Sequence, residues 1–361
     1  MSKILEKIKV GDLNLKNRII MAPMTRNRSN ENGVPNELNA IYYGQRASAG
    51  LIITEATAIS KQGIGYINAP SIYNAEQVKG WKKVTDKVHK EDGLIFLQIF
   101  HVGRITHSSF LEGKLPVAPS NIKPTGQVFT VDGMKDYETP KELEINEIKN
   151  IINDFKVAAK NAKEAGFDGV EIHGANGYLI NQFIDDISNK RTDVYGGNVE
   201  NRSKILFEVI DAVLEIWDPK RISVRLSPSG LFNTAGDSNS KKTYTYIIEK
   251  LNKYDLGYLH LLNPMMPVDD YPEMISNVSE FYGKLYKTNK IVSAGYSQTT
   301  GEDAINNGTT DMVAYGNLFI ANPDLPKRFK LNAKLNVANS ETFYGGGKEG
   351  YTDYPFLESN N

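Results

Sequence analysis

Gly169-Val170-Glu171-Ile172-His173-Gly174-Ala175-Asn176-Gly177-Tyr178-Leu179-Ile180-Asn181-Gln182-Phe183 begins as a short strand-like run and then turns abruptly polar and chemically active. Upstream, Ile148, Ile151, Ile152, Phe155, Ala158, Ala159 and Ala162 recur at helical spacing and stop at Gly166, so a helix leads into this strand. A short, nearly continuous apolar strand preceded by an amphipathic helix is the unit of a parallel sheet covered on both faces.

The unit recurs along the chain. Apolar runs at residues 18–22, 50–54, 94–99, 169–172, 222–226, 258–262, 290–293 and 311–314 make eight strands. A second helical pattern, Ile205, Val209, Ala212, Val213 and Ile216, ends before Pro219, and Asn322-Pro323 reads as an N-cap with proline at the first helical position. Eight strands alternating with helices specify an α/β chain, a (β/α)8 TIM barrel; an open doubly wound sheet is the alternative, and strand count and length favour the barrel. A hairpin is expected at residues 9–15, ahead of the barrel. A glycine- and proline-rich insertion at residues 103–146, after strand three, is expected to cap the mouth, and an aromatic tail at 340–361 to fold back on the core. All of residues 1–361 are read as a single domain.

Composition narrows the function. The 361 residues carry a formal net charge of −1 and no cysteine. The charge offers no footprint for nucleic acid or anionic lipid. Without cysteine there are no disulfides, thiolate metal sites or cysteine nucleophile. No apolar stretch reaches the ~18 residues of a membrane span and no secretory signal is visible at the start, so a cytoplasmic location is expected. The sequence does not distinguish monomer from homodimer.

Chemistry in such barrels sits at the C-terminal ends of the strands. Those positions hold Pro23-Met24-Thr25, Glu55-Ala56-Thr57, Gln98-Ile99-Phe100-His101, His173 with Asn176 and Tyr178, Arg225-Leu226-Ser227, Ala294-Gly295-Tyr296 and Tyr315-Gly316-Asn317. No lysine stands there for a Schiff base, no carboxylates are obviously paired, and no His/Asp cluster has metal-ligand spacing, so no metal is expected. Neutral hydrogen-bonders plus one arginine suit a flat ring bearing carbonyls and ring nitrogens, such as a flavin. Glycines after strands seven and eight suit a phosphate. His173 and Asn176 can both donate to one oxygen, and Tyr178 carries a phenol with an ordinary pKa of about 10; together they suit a carbonyl-conjugated substrate.

At this point the chain resembles the Old Yellow Enzyme family of FMN-dependent ene-reductases (NADH:flavin oxidoreductases). The resemblance rests on six segments in order: residues 17–26, Thr54-Glu55-Ala56-Thr57, residues 97–104, residues 173–183, residues 191–202, and Gly350-Tyr351-Thr352-Asp353-Tyr354-Pro355. It implies an FMN-dependent NAD(P)H oxidoreductase that reduces the activated C=C of unsaturated carbonyl or nitro compounds. Pro23, Met24 and Ala56 would line the flavin, Thr25 would bond its O4 region, and Gln98 and Arg225 its pyrimidine side. Ala294, Gly295, Gly316 and Asn317 would hold the phosphate. His173 and Asn176 would hold the substrate oxygen, Tyr178 would protonate the α-carbon, and Tyr351 would cap the pocket. Where the family usually carries an arginine, this chain has Asn317. Weaker FMN retention is therefore expected, unless Lys327 or Arg328 compensates. The reductant is NADPH or NADH. A non-redox barrel lyase or isomerase acting on a phosphorylated substrate, and a flavin binder that has lost catalysis, are the competing readings.

Overall fold

A computed structural model describes residues 2–358. Its core is a closed parallel barrel of strands β1 Ile19–Met21, β2 Leu51–Ile53, β3 Ile95–Phe100, β4 Gly169–Gly174, β5 Ile222–Leu226, β6 Tyr258–Leu262, β7 Lys290–Ser293 and β8 Met312–Tyr315. Each strand pairs with the next, and β8 closes on β1 with Val313 opposite Ile19 and Tyr315 opposite Met21. The eight runs of the sequence are these strands, displaced at their ends by no more than a residue or two.

The barrel is packed rather than hollow. Ile20, Leu51, Ile53, Phe96, Tyr258, Ile291 and Met312 form one apolar cluster with Val10, Leu13 and Leu15 of the N-terminal hairpin. That hairpin, Ile8–Val10 paired with Leu13–Leu15, buries the residues that alternate inward. Outside, helices such as Ile145–Glu164 set Ile148, Ile151, Phe155, Ala158, Ala159 and Ala162 against the strands. Gly166 follows that helix in the left-handed conformation (φ 86°), which lets the chain reverse into β4.

Two expectations shift in detail. The insertion carries its own antiparallel hairpin, Gln127–Thr130 with Gly133–Asp136, and its Val128 and Tyr137 pack in one cluster with Phe100 and Tyr178. It therefore covers the mouth on the side of β3 and β4. Asn322-Pro323, by contrast, does not open a helix. Asn322 ends the short helix Asn317–Ala321, and the next helix, Leu325–Leu331, starts after Asp324 with Pro326 in its first turn. The side chain of Asn322 is committed elsewhere: Nδ2 donates to the Leu318 carbonyl (2.8 Å) and Oδ1 accepts from the Asn336 amide (2.7 Å).

Within the described residues, the tail returns to the barrel and is held by buried arginines. Arg26 donates to the carbonyls of Phe343 and Gly350, and Arg28 to those of Gly347, Thr342 and Glu349. Arg46 reaches the carbonyls of Phe319, Ile320 and Tyr351. Ser359 to Asn361 of the expected tail lie outside the described residues.

Candidate active site

Strand register brings distant residues level. His173 on β4 stands opposite Arg225 on β5, and Arg225 opposite His260 on β6. His173 is buried, and its Nδ1 accepts from the Ala175 amide at 3.3 Å. A ring nitrogen that accepts carries no proton, so the proton resides on Nε2. Burial, reinforced by the charge of Arg225, holds the imidazole pKa well below its ordinary value. His173 is thus a neutral donor through Nε2–H.

The loop after β4 is tightly constrained. Asn176 adopts a left-handed backbone (φ 59°) and is pinned at both ends: its amide donates to Ser227 Oγ (2.9 Å) and its carbonyl accepts from Asn233 Nδ2 (2.9 Å). Its side-chain amide has no partner among the described residues. Gly177 follows at φ 73°, where a Cβ would sit 2.7 Å from Asn233 Cβ and 2.8 Å from the Phe232 carbonyl oxygen. Only glycine fits there.

Tyr178 comes next, with its ring edge-on to His173 (centroids 5.1 Å apart) and to Phe100 (5.3 Å). Its hydroxyl lies 2.7 Å from that of Tyr66. Burial pushes the phenol up to about 12, opposed by the hydrogen bond to Tyr66 and by Asn233. Tyr178 does N-cap the helix Leu179–Ile184, but burial outweighs any easing of the phenolate by that helix, and the group is protonated at neutral pH.

A cleft of about 570 Å³ opens beside this cluster, lined by Pro23, Met24, Arg225, Ala294, Gly295, Gly316 and Asn317 among others. Seven residues singled out in the sequence from four separate strand ends therefore share one cavity. Ser293 and Tyr296, from the same strand-seven end, also line it, as does Met265, which the sequence did not point to. Ala294 (φ 73°) and Gly295 (φ 82°) are successive left-handed residues at the end of β7. Such strain in a non-glycine residue concentrates at functional sites. Arg225 makes no hydrogen bond among the described residues, and its Nε is buried without a partner. A buried guanidinium with idle donors is a costly arrangement that a planar, carbonyl-rich ligand would satisfy.

Not every predicted residue lines that cleft. Gln98 is buried, and its Nε2 donates to Glu171 Oε1 at 2.7 Å. Ala56 packs in the apolar cluster of Tyr178, and Thr25 is half-buried directly after Met24. Tyr351 does not cap a pocket. It is fully buried, stacked on Tyr42 at 4.0 Å, bonded through its hydroxyl to Asn39 Nδ2 (3.0 Å) and covered by Arg28. The tail aromatic whose phenol acts electrostatically on Tyr66 and Tyr178 is the exposed Tyr344. Nor do Lys327 and Arg328 replace a missing phosphate cation. Arg328 is paired with Asp324 (2.7 Å) and with the carbonyls of Lys334 and Pro355, while Lys327 donates to the Leu357 carbonyl. Among the described residues, Arg225 is the only cation lining the cleft.

Comparison with known proteins decides the family. The family model described as "NADH:flavin oxidoreductase / NADH oxidase family" matches residues 3–336. The chain belongs to this family. It is 42% identical to 12-oxophytodienoate reductase 2 of Arabidopsis thaliana over 99% of this chain and 96% of that protein. Among solved structures it is similar to morphinone reductase in complex with tetrahydroNAD, with 43% identity, 98% of each chain covered and a TM-score of 0.92. It is also similar to the old yellow enzyme homologue from Zymomonas mobilis, with 41% identity, 98% of this chain and 99% of that chain covered, and a TM-score of 0.94. As a member of this NADH:flavin oxidoreductase family, the protein is an FMN-dependent oxidoreductase that takes electrons from a reduced nicotinamide. The idle donors of Arg225 and the turn at Ala294–Gly295 fit the two ends of such a cofactor.

Proposed function

We propose that the protein is an ene-reductase acting on α,β-unsaturated carbonyl or nitro compounds, with NADPH or NADH and the substrate using the same face of the site in turn. The observation that carries this reading is the grouping of a neutral Nε2–H donor on His173, a free side-chain amide on Asn176 and a protonated phenol on Tyr178. Bound FMN supplies the hydride that goes to the β-carbon. His173 and Asn176 bind the substrate oxygen, draw electron density from the C=C bond and stabilise the charge that gathers on that oxygen. Tyr178 delivers the proton to the α-carbon, so the substrate gains one hydride and one proton. Tyr66, with its hydroxyl 2.7 Å away, remains as a donor to the phenolate left behind. Val128, Tyr137 and Phe100 pack against Tyr178 and keep water from the proton donor.

Anaerobic titration with NADPH and with NADH, followed by cyclohexenone and a nitro-olefin, tests the reading. Bleaching of the flavin spectrum and its return with either acceptor is the expected result. A colourless protein that takes up no FMN would sink the reading and leave the non-redox barrel enzyme. Flavin that bleaches but returns with neither acceptor would point to a flavoprotein of different chemistry.

A further inference from the structure

Barrel interiors are ordinarily filled by branched apolar side chains, yet beneath this site lies a carboxylate. Glu171, on β4 level with Gln98 of β3, is fully buried. Its Oε1 accepts from Gln98 Nε2 at 2.7 Å, and its Oε2 accepts from the Tyr258 hydroxyl at 3.1 Å and lies 3.0 Å from His260 Nδ1. Burial by itself would raise this carboxyl, but His260, Arg225 and the Gln98 bond together hold it below its ordinary value. It is a carboxylate, so His260 donates through Nδ1–H. The other nitrogen, Nε2, then accepts from Ser293 Oγ at 2.9 Å.

The consequences reach the cleft. Ser293, whose hydroxyl proton is committed to His260, can offer the cleft only a lone pair. Gln98, whose amide NH2 faces Glu171, has its carbonyl oxygen turned elsewhere. Arg225, one strand from Glu171 and from His260, has no direct hydrogen bond to the carboxylate although the charge of Glu171 acts on it. A direct ion pair would consume the guanidinium's donors, whereas here the carboxylate's acceptor positions are taken by Gln98, Tyr258 and His260.

We propose that Glu171 is a positioning residue that serves Arg225 at a distance. Its charge offsets the buried guanidinium. Its hydrogen bonds to Gln98, Tyr258 and His260 leave the N–H groups of Arg225 free for the ring of the bound ligand. The inference rests on the flavin reading above. It assigns opposite effects to two substitutions. Glu171→Gln removes a negative charge and leaves Arg225 uncompensated, which favours the extra negative charge of a reduced flavin. Tyr258→Phe keeps the charge, frees an acceptor position and draws Arg225 down to it, which disfavours that charge.

The test is the midpoint potential of the bound flavin in the holoprotein, read against reference dyes, with a thermal melt of each variant as control. For Glu171→Gln the ratio of reduced to oxidised flavin at fixed potential should rise about tenfold, a shift of about 30 mV to the positive for a two-electron couple. For Tyr258→Phe the shift should be negative. A general loosening of the fold would not give opposite signs. Unchanged potentials, or shifts in the same direction, would overturn the proposal. If Glu171→Gln fails to fold or to hold flavin, Tyr258→Phe decides alone: a negative shift supports the proposal and no shift overturns it. A wild-type protein that binds no flavin would sink the functional reading and this inference with it.

Discussion

Replacing Asn317 with arginine should tighten FMN and leave riboflavin unchanged. Asn317 is exposed at the cleft's edge, and among the described residues the cleft wall carries no lysine and no arginine besides Arg225. An introduced guanidinium therefore meets the phosphate in nearly aqueous surroundings, where two unit charges about 4 Å apart interact by about 1 kcal/mol. A phosphate monoester carries about −1.5 to −2 charges at pH 7, which makes the gain about 1.5–2 kcal/mol. Ordering the long side chain removes part of that, leaving roughly a tenfold lower Kd. The gain should fade in 1 M salt, where the screening length shrinks to about 3 Å. Titrating the apoprotein into each flavin and following fluorescence gives the four dissociation constants needed. An unchanged FMN Kd in Asn317→Arg would refute the reasoning. An equal gain for riboflavin would place the new charge away from the phosphate.

Other perturbations follow from the same geometry. His101 and His173 are buried and neutral, with His101 lowered to about 3 by burial and His173 held well below its ordinary value. The unfolded chain, titrating near 6.5, binds more protons below that pH. Each histidine's contribution is therefore complete above pH 6.5 and is lost as the pH falls, by about 2 kcal/mol at pH 5 for His101. Urea unfolding at pH 7.5 and 5.0 should show the loss, and His101→Asn should lessen it; an identical loss in the variant would remove His101 from the account. Gly177→Ala forces a Cβ against Asn233 at a left-handed position and should cost about 1–3 kcal/mol together with enone turnover. A normal melt and normal turnover would mean the loop is looser than described. Tyr351→Phe loses the bond to Asn39, about 1 kcal/mol of stability, and should leave the enone KM unchanged. A raised KM would return Tyr351 to the pocket.

The strands were legible because both faces of each are covered, which writes near-continuous apolar runs between polar breaks. The strand Thr57–Ala58, which extends the sheet along the upper end of β3, is too short to carry any such pattern. The helix start at Leu325 was hidden because Asn322 looks like a cap while its side chain serves a contact with Asn336, 14 residues away. In the site, His173, Asn176 and Tyr178 could be read together because one loop carries all three. Tyr66 could not, since it meets Tyr178 across 112 residues of chain. The place of Tyr351 depended on Arg26, Arg28 and Arg46 turning inward to hold tail carbonyls, and charged residues are ordinarily expected at the surface. A lone carboxylate on a barrel strand, as Glu171 is, ordinarily pairs with an arginine. Its actual partners come from two other strands and are visible only once register is fixed.

The most direct measurement is the separation of the two half-reactions in Tyr178→Phe. Phenylalanine keeps the packing against Phe100 and His173 and removes the hydroxyl with its proton and its contact to Tyr66. Rapid mixing should show flavin reduction by NADPH or NADH at the wild-type rate, and reoxidation by cyclohexenone slowed by about 10²–10⁴-fold. Reoxidation at the wild-type rate would contradict the account, because the proton would then come from some other group.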